Sequence, residues 1–394
     1  MPKASISNFC ILPDLEFVKF YGVGSYFYLE VKKNTLYEVC PKCATISYKI
    51  YDHRRVFIKD SPLRHKNVKL VINKRRFYCK HCSCVFTEPV SGISKGARST
   101  ERFKKALLWA CENFADLKSV KKYLDCSYGF IYKILYEQLE RQRKRHLNYP
   151  WPRTIGIDEH SFKKNKETGR KEFVSFIIDH RNKKAFEVVK GRSIEDLRES
   201  LSHIAHRENV HFVTMDLCTT YRNFVKGFFP NARIVADKFH VLRLLNPAIN
   251  SRRKQITGDK RSNPIRLLLL KSGINVNSKT KAAMYQWLNT YPELREVYEY
   301  KEALQRFYRI KGYNRAEAVL TKLLDKMGTS KLDEIITLRK TLISWRKEIL
   351  LYFSTRLTNA RVEGFNNVAK VIKRRAYGYR SFKNYRLRVL NACS

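Results

Sequence analysis

"RTIGID", residues 153–158, is followed by "EFVSFIID" (172–179) and "KAFEVVKG" (184–191), three short apolar segments bounded by charged turns. Segments of this length and composition read as strands. "SIEDLRESLSHIAH" then reads as an amphipathic helix with Ser193 as its cap and Asp196 in its first turn. A strand, "HFVTMD" (211–216), a helix, "TTYRNFVKGFF" (219–229), and another strand, "ARIVAD" (232–237), complete the pattern. The order βββαβαβ predicts a mixed sheet with helices packed on its faces. From 238 to 355 the pattern is helical almost throughout, with Gly and Pro thinly placed.

Toward the N-terminus the period changes at "YPWPR" (149–153), which breaks a helical pattern and marks a domain boundary. Residues 99–145 are helical before it, with Ser99 and Thr100 as caps and Phe103, Leu107, Ala110 and Phe114 in one stripe. Within them, "LKSVKKYL", a turn at "DCSYG" and "FIYKILYEQLER" have the order of a helix-turn-helix, with Lys133 on the recognition helix. An ordinary helical bundle is the alternative. The first 39 residues alternate apolar and polar types, as in "SYFYLEVKKNTLYEV", and predict a strand or hairpin.

That hairpin leads into "CPKC" (40–43), and a basic, strand-like stretch separates this from "YCKHCSC" (78–84). Thiolates two residues apart grip one tetrahedral Zn²⁺ from a tight turn, and a second such turn completes four ligands. The expected ligands are Cys40, Cys43, Cys79 and Cys82. The interval from Cys43 to Cys79 is wide for a compact ribbon, and Cys84 competes with Cys82 for the last place, His81 more weakly.

The 394 residues carry 79 Lys and Arg against 36 Asp and Glu, a formal net charge of +43. Such an excess recruits polyanions, with double-stranded DNA or RNA the first candidates. A hydrophobic share of 44% and an aromatic share of 13% supply real cores, unlike short structural nucleic-acid proteins. No run approaches the ~18 apolar residues of a membrane helix, and "MPKASISNFCILPDLEF" has no secretory pattern. The reading is a cytoplasmic protein without a membrane partner, whose ten cysteines stay reduced.

Asp158, Asp216 and Asp237 each end a predicted strand, and ligands gather at the carboxyl ends of strands in open α/β sheets. Asp179 also ends one, but "IIDHRNKKA" reads as a hairpin turn in which Asp serves the backbone. A further acid, Glu363, stands in "RVEGFNNVAKVIKRRAYGYRSF" (361–382). Val362, Phe365, Ala369 and Ile372 form one helical stripe there, while Glu363, Asn367, Lys370 and Arg374 share another face. An acid among cations is either a surface salt-bridge face or part of a site. Carboxylates brought together repel, and Mg²⁺ or Mn²⁺ between them relieves the repulsion. Asn367, Lys370, Arg374, Arg375 and Arg380 are then the expected DNA contacts, and Tyr377 and Tyr379 either stack on DNA or pack inward.

"CPKC…YCKHC", "TIGIDEHSFKK", "VTMDLCTTYRNFVKGFFPNARIVADKFHVLR" and "TNARVEGFNNVAKVIKRRAYGYRSFKNYRLRVL" together resemble the DDE transposases of bacterial insertion sequences, of the ISL-three group. The resemblance implies a multidomain α/β chain with a ribonuclease H-like core, a large helical insertion, a zinc module and a helix-turn-helix. The corresponding segments are 1–39 (strand-rich), 40–90 (zinc), 91–148 (helix-turn-helix), 153–240 (first part of the core), 241–355 (insertion) and 356–394 (C-terminal catalytic helix). It places the catalytic acids on Asp158, Asp216 and Glu363, with Asp237 and His240 adjacent and Asp237 the runner-up for the second acid. It also implies Mg²⁺ or Mn²⁺ at those acids, terminal inverted repeats as the DNA bound, a dimer or larger assembly, and a nucleoid-associated location. A non-catalytic DNA-binding regulator and a structure-specific nuclease are the rival readings.

Overall fold

The structure, a computed structural model, describes residues 12–144, 149–164, 169–258 and 264–394. Residues 1–11, which include most of the segment read for a secretory pattern, lie outside the described residues. The chain divides into two compact units, Met1–Arg141 and Gln142–Ser394.

In the first unit, strands β1 (Leu15–Val23) and β2 (Tyr26–Lys33) precede a two-stranded piece, β3 (Glu38–Val39) and β4 (Ile46–Ser47). A long hairpin follows, β5 (Ile50–Leu63) and β6 (Lys66–Tyr78), and then β7 (Val85–Thr87). The main sheet runs β1-β2-β6-β5, with β7 paired to β6 and only the β2–β6 contact parallel. One face buries Leu29, Val31, Ile58, Leu70 and Ile72 as a core, and strand alternation turns the intervening residues to the other face. Helices α1 (Glu101–Asn113), α2 (Leu117–Leu124) and α3 (Tyr128–Lys144) follow. Thr100 caps α1 by accepting from the Phe103 N–H, and Asp116 caps α2 by accepting from the Ser119 N–H. Asp125, left-handed at φ 44°, turns the chain into α3, which buries Ile131, Leu135 and Leu139 and exposes Lys133. Helix α3 starts at Tyr128, inside the predicted turn.

The second unit is built on a five-stranded sheet of order β10-β9-β8-β11-β12. Its strands are β8 (Thr154–Lys164), β9 (Lys171–Asp179), β10 (Lys184–Lys190), β11 (Phe212–Met215) and β12 (Arg233–Ala236). Strands β8, β9 and β10 form an antiparallel meander, while β11 and β12 run parallel to β8. Helix α4 (Ile194–Leu201) leads to β11 and begins in a capping box of Ser193 and Asp196. Helix α5 (Thr219–Phe228) joins β11 to β12, and α6 (Lys238–Arg243) follows β12 under an Asp237 cap. The strands are buried on both faces, which is why they read as continuous apolar runs.

The helical region comprises α7 (Asn246–Thr257), α8 (Pro264–Leu270), α9 (Ser278–Asn289), α10 (Pro292–Phe307), α11 (Tyr313–Met327), α12 (Asp333–Ser344) and α13 (Arg346–Thr355). It shares one continuous apolar core with Ile155, Ile157, Ile177 and Val213 of the sheet. Helices α14 (Ala360–Arg375) and α15 (Phe382–Ala392) cover the opposite face, where Val362, Ala369, Tyr385 and Val389 pack on Phe162, Phe176 and Ile178.

Two expectations need correction. Asp158 does not end its strand: the parallel pairing of β8 with β11 stops at Gly156, two residues before Asp158, but β8 runs on to Lys164 because its antiparallel pairing to β9 continues. The helix read through "SIEDLRESLSHIAH" stops at Leu201, and the chain then turns through a left-handed His206. Asp179 serves the hairpin turn as expected, accepting from the Arg181 and Asn182 N–H groups at 2.9 and 3.1 Å.

Gly156 is where α14 meets β8. A Cβ there would stand 2.6 Å from Val362 Cγ2 and 3.0 Å from Asn359 Oδ1. Gly156→Ala is expected to cost about 1–3 kcal/mol, read as a lower denaturant midpoint at unchanged slope; an unchanged midpoint would mean that the helix is free to lift.

Candidate active site and zinc centre

Register brings the first acids together. Strand β8 pairs with β11 through Gly156↔Thr214, and β11 pairs with β12 through Met215↔Ala236. Continued to the carboxyl ends, the same pairing puts Asp158, Asp216 and Asp237 in one row across three parallel strands.

Their environments differ. Asp158 Oδ1 accepts from the Glu159 N–H at 2.8 Å, and Oδ2 accepts from Asn366 Nδ2 at 2.9 Å. Burial nonetheless raises its carboxyl above the ordinary value. Burial pushes Asp216 further, to about 6, and its Oδ1 is buried with no hydrogen-bond partner. Asp237 is fully occupied: Oδ1 accepts from the Asn359 N–H at 3.0 Å and Oδ2 from His240 Nδ1 at 2.9 Å. Burial works against it, but these bonds hold its carboxyl below the ordinary value. In return, the bond to Asp237 raises His240, and the nearby Asp216 and Asp158 charges add to that. The row therefore holds two desolvated acids and a third that is spent on structure.

Glu363 lies on α14 and its side chain is exposed. It is flanked along the helix by residues that grip the sheet. Asn359, one turn earlier, donates from Nδ2 to the Ile157 carbonyl at 3.1 Å and accepts at Oδ1 from Thr214 Oγ1 at 2.9 Å. Asn366, nearly one turn later, holds Asp158. Helical geometry thus sets Glu363 at the rim of the face that meets the acids. Among the described residues, only a cysteine cluster brings three or more Cys, His, Asp or Glu ligand atoms within 4.8 Å of one another. Asp158, Asp216 and Glu363 do not approach that closely. Asn367, Lys370, Arg374, Arg375 and Arg380 are exposed beyond Glu363. Tyr377 is 92% exposed with φ +51°, whereas Tyr379 packs edge-on to Tyr385 at 5.4 Å, the inward packing weighed for it.

The residues that the sequence did not single out support these acids. Asn366 Nδ2 donates to Asp158, so its Oδ1 must accept from His160 Nδ1, 3.1 Å away. His160 Nε2 is then left to accept from the Tyr385 hydroxyl. Burial pushes His160 down to about 4, which keeps the ring neutral and this relay in one sense. On the first helical turn, Arg361 donates to the His180 carbonyl at 2.6 Å. Asn366 could have been found by spacing, because it falls one turn after Val362 on the buried stripe. The Asn359 bonds follow from tertiary structure alone.

The orphaned Asp216 oxygen and the raised Asp158 fit a divalent cation, which would supply the missing partner and favour both ionised forms.

In the first unit Cys40, Cys43, Cys79 and Cys82 form the close cluster. Cys43 and Cys79 lie 3.5 Å apart, and Cys40 and Cys82 3.6 Å. The Thr45 hydroxyl and N–H hold the Cys43 thiol down, to about 5. Cys84 also reaches within 3.4 Å of Cys40 and of Cys82. The wide interval is filled by the β5–β6 hairpin, which leaves and re-enters between the two knuckles. Four sulfurs converging from two turns suit tetrahedral Zn²⁺.

A mixed sheet with aligned acids at the carboxyl ends of its strands, carried with a four-cysteine zinc module on a strongly basic chain, defines a nucleic-acid-processing class of protein. The chain belongs to the DDE transposases of the ISL3 group, whose family model, described as transposase, matches residues 155–389. A second model, the zinc-finger of transposase IS204/IS1001/IS1096/IS1165, matches residues 37–82. The transposase for insertion sequence element IS1001 of Bordetella parapertussis is 22% identical over 362 residues, covering 89% of this chain and 87% of the relative. Among the described residues, no helix is long and apolar enough to cross a membrane.

Two measurements follow. Asp216 binds its proton more tightly folded than unfolded, so it destabilises the metal-free fold above about pH 6 and not below its ordinary value of 3.8. Asp216→Asn is therefore expected to raise metal-free stability by about 1–2 kcal/mol at pH 8 and to leave it unchanged below that ordinary value. Thermal melts at both pH values decide; destabilisation at pH 8 would contradict the desolvation reading. The zinc motif match ends before Cys84, so Cys84→Ala is expected to keep one zinc per chain and Cys82→Ala to lose it, as read by metal release to a chromogenic chelator. The reverse pattern would exchange the two ligands.

Proposed function

We propose that the second unit is a ribonuclease H-like core that cleaves and rejoins DNA at Asp158, Asp216 and Glu363, and that the first unit binds the terminal inverted repeats of an insertion sequence. The observation that carries this reading is the row of acids: two are desolvated, one of them has an unpartnered buried oxygen, and the other is bonded by Asn366 of the helix that carries a further acid. Asp158, Asp216 and Glu363 would hold Mg²⁺ or Mn²⁺. A bound metal pair supplies activation of water or a 3′-hydroxyl and stabilisation of the leaving oxygen.

The chain's own residues do the rest. Asn366 fixes the rotamer of Asp158, and Asp237 anchors His240 and the start of α14 in place of binding metal. Lys370, Arg374, Arg375 and Arg380 offer exposed cations to the phosphodiester backbone along and beyond the helix that carries Glu363. Direct transesterification then needs no covalent link between protein and DNA. Two element ends must meet for strand transfer, so the active assembly is a dimer or larger, acting on the nucleoid. A regulator that only bound DNA would have no use for two destabilising acids in one row.

Asp158→Asn separates these readings. It should retain binding to inverted-repeat DNA in a mobility-shift assay while Mg²⁺-dependent cleavage falls by about a hundredfold to a thousandfold. Cleavage at the wild-type rate would remove Asp158 from the site, and cleavage of branched DNA without terminal repeats would indicate a structure-specific nuclease.

A further inference from the structure

The face of the N-terminal sheet that turns away from its core has an unusual composition. Pairing runs Tyr21↔Tyr28 from β1 to β2, Tyr28↔Lys69 from β2 to β6, and Lys69↔Lys59 from β6 to β5. These four residues form one row across the whole sheet. Tyr21 and Tyr28 lie parallel, with centroids 5.1 Å apart, and Phe57 stands edge-on to Tyr28 at 6.5 Å. Cations interleave with the rings: Lys69 Nζ lies 4.1 Å from the Tyr26 centroid, and the Arg55 guanidinium lies 5.7 Å from that of Phe57. Phe57 is nonetheless 50% exposed, and it lies outside the core on the other face.

The row runs into a cavity of about 320 Å³ lined by Phe57, Phe103 and Phe130 and by Lys59, Lys69 and Arg98. Asp125 is the acid in that lining, so cations outnumber it. Asp125 is engaged by the Tyr26 hydroxyl and by Lys59, which leaves the cavity cationic. A volume at the low end of the roughly 300–1,000 Å³ of small-ligand sites has room for one flat, nucleotide-sized group.

We propose that this face and its cavity bind an unpaired strand of DNA, with one base stacked on Phe57 in the cavity and its phosphates on Lys59, Lys69 and Arg98. Aromatic rings on a flat sheet can stack on bases only where those bases are unpaired, and cations between them track the backbone. A duplex presents phosphates but no base faces, so it would engage the lysines and leave the aromatic side chains without a role. Family membership is used here only to choose DNA among polyanions, and the site stands apart from the acids of the second unit.

The test is fluorescence anisotropy on the full-length protein with a labelled single strand of about 15 nucleotides and a duplex of the same length. Phe57→Leu and Phe57→Ala should each weaken single-strand binding by about fivefold or more while duplex affinity moves by less than about twofold. Lys69→Gln should weaken the single strand as well and flatten its salt dependence. Because Phe57 is half exposed and outside the core, both variants should keep the wild-type melting temperature. Wild-type protein that fails to bind the single strand, or Phe57 variants that bind it normally or lose duplex affinity in equal measure, would overturn the proposal. Neither measurement reads cleavage, so its failure leaves the assignment of the acids standing.

Discussion

Asn359 is the constraint on which the geometry of the second unit's acid row rests. Its backbone N–H reaches Asp237 at the end of β12, its Oδ1 accepts from Thr214 on β11, and its Nδ2 donates to Ile157 on β8. One buried residue thus ties the start of α14 to all three parallel strands. Each of its polar groups is satisfied, and loss of any one would leave a buried donor or acceptor unpaired, at about 1–3 kcal/mol. Because α14 is pinned there and again at Asn366, Glu363 between them has little freedom except in its own side chain. A long helical region separates Asp216 from Glu363 in sequence, but this staple makes their separation in space independent of it.

The same view explains why the acids are unequal. A sheet end that gathers carboxylates without a cation must neutralise them by bonding, by counter-charge or by protonation. Asp237 takes the first two routes through Asn359 and His240. Asp216 is left to the third, with one oxygen unpartnered. Position in the row therefore does not decide role. The distribution of donors does, and no donor pattern of this kind can be read from a strand-end Asp in sequence.

Much of the fold was legible for a physical reason. The strands of the second unit are short, buried on both faces and separated by charged turns, so their boundaries are marked by composition. The helical stripe of α14 was legible too: Val362 and Ala369 are buried while Glu363, Asn367 and Lys370 face solvent. The limits lie where tertiary pairing overrides local signals. Strand β8 continues past Asp158 because β9 pairs with it, and local composition at Asp158 does not reveal that. Asn366 stands beside Asn367 in sequence, yet a single 100° step along the helix separates a buried ligand of Asp158 from an exposed side chain. His160 and Tyr385 are more than two hundred residues apart and meet only in the folded core.

The cysteines show how a spacing that looks unfavourable becomes a device. In a compact ribbon the chain between knuckles is short because a long loop raises the entropy of closure. Here the intervening chain forms its own hairpin, β5 and β6, whose strand pairing offsets that cost. Phe77 and Phe86 stack at 6.0 Å in the small core that they share with Cys40 and Cys79. Ser47 donates to the Tyr78 carbonyl at 2.7 Å, and the Cys79 N–H to the Cys84 carbonyl at 2.9 Å, so both ends of the hairpin are fixed at the sulfur cluster. A metal at that point clamps the base of two strands whose far halves carry Lys59, Lys69 and Phe57. The zinc module is therefore continuous with the main sheet, because the chain between its two cysteine pairs supplies that sheet's β5 and β6.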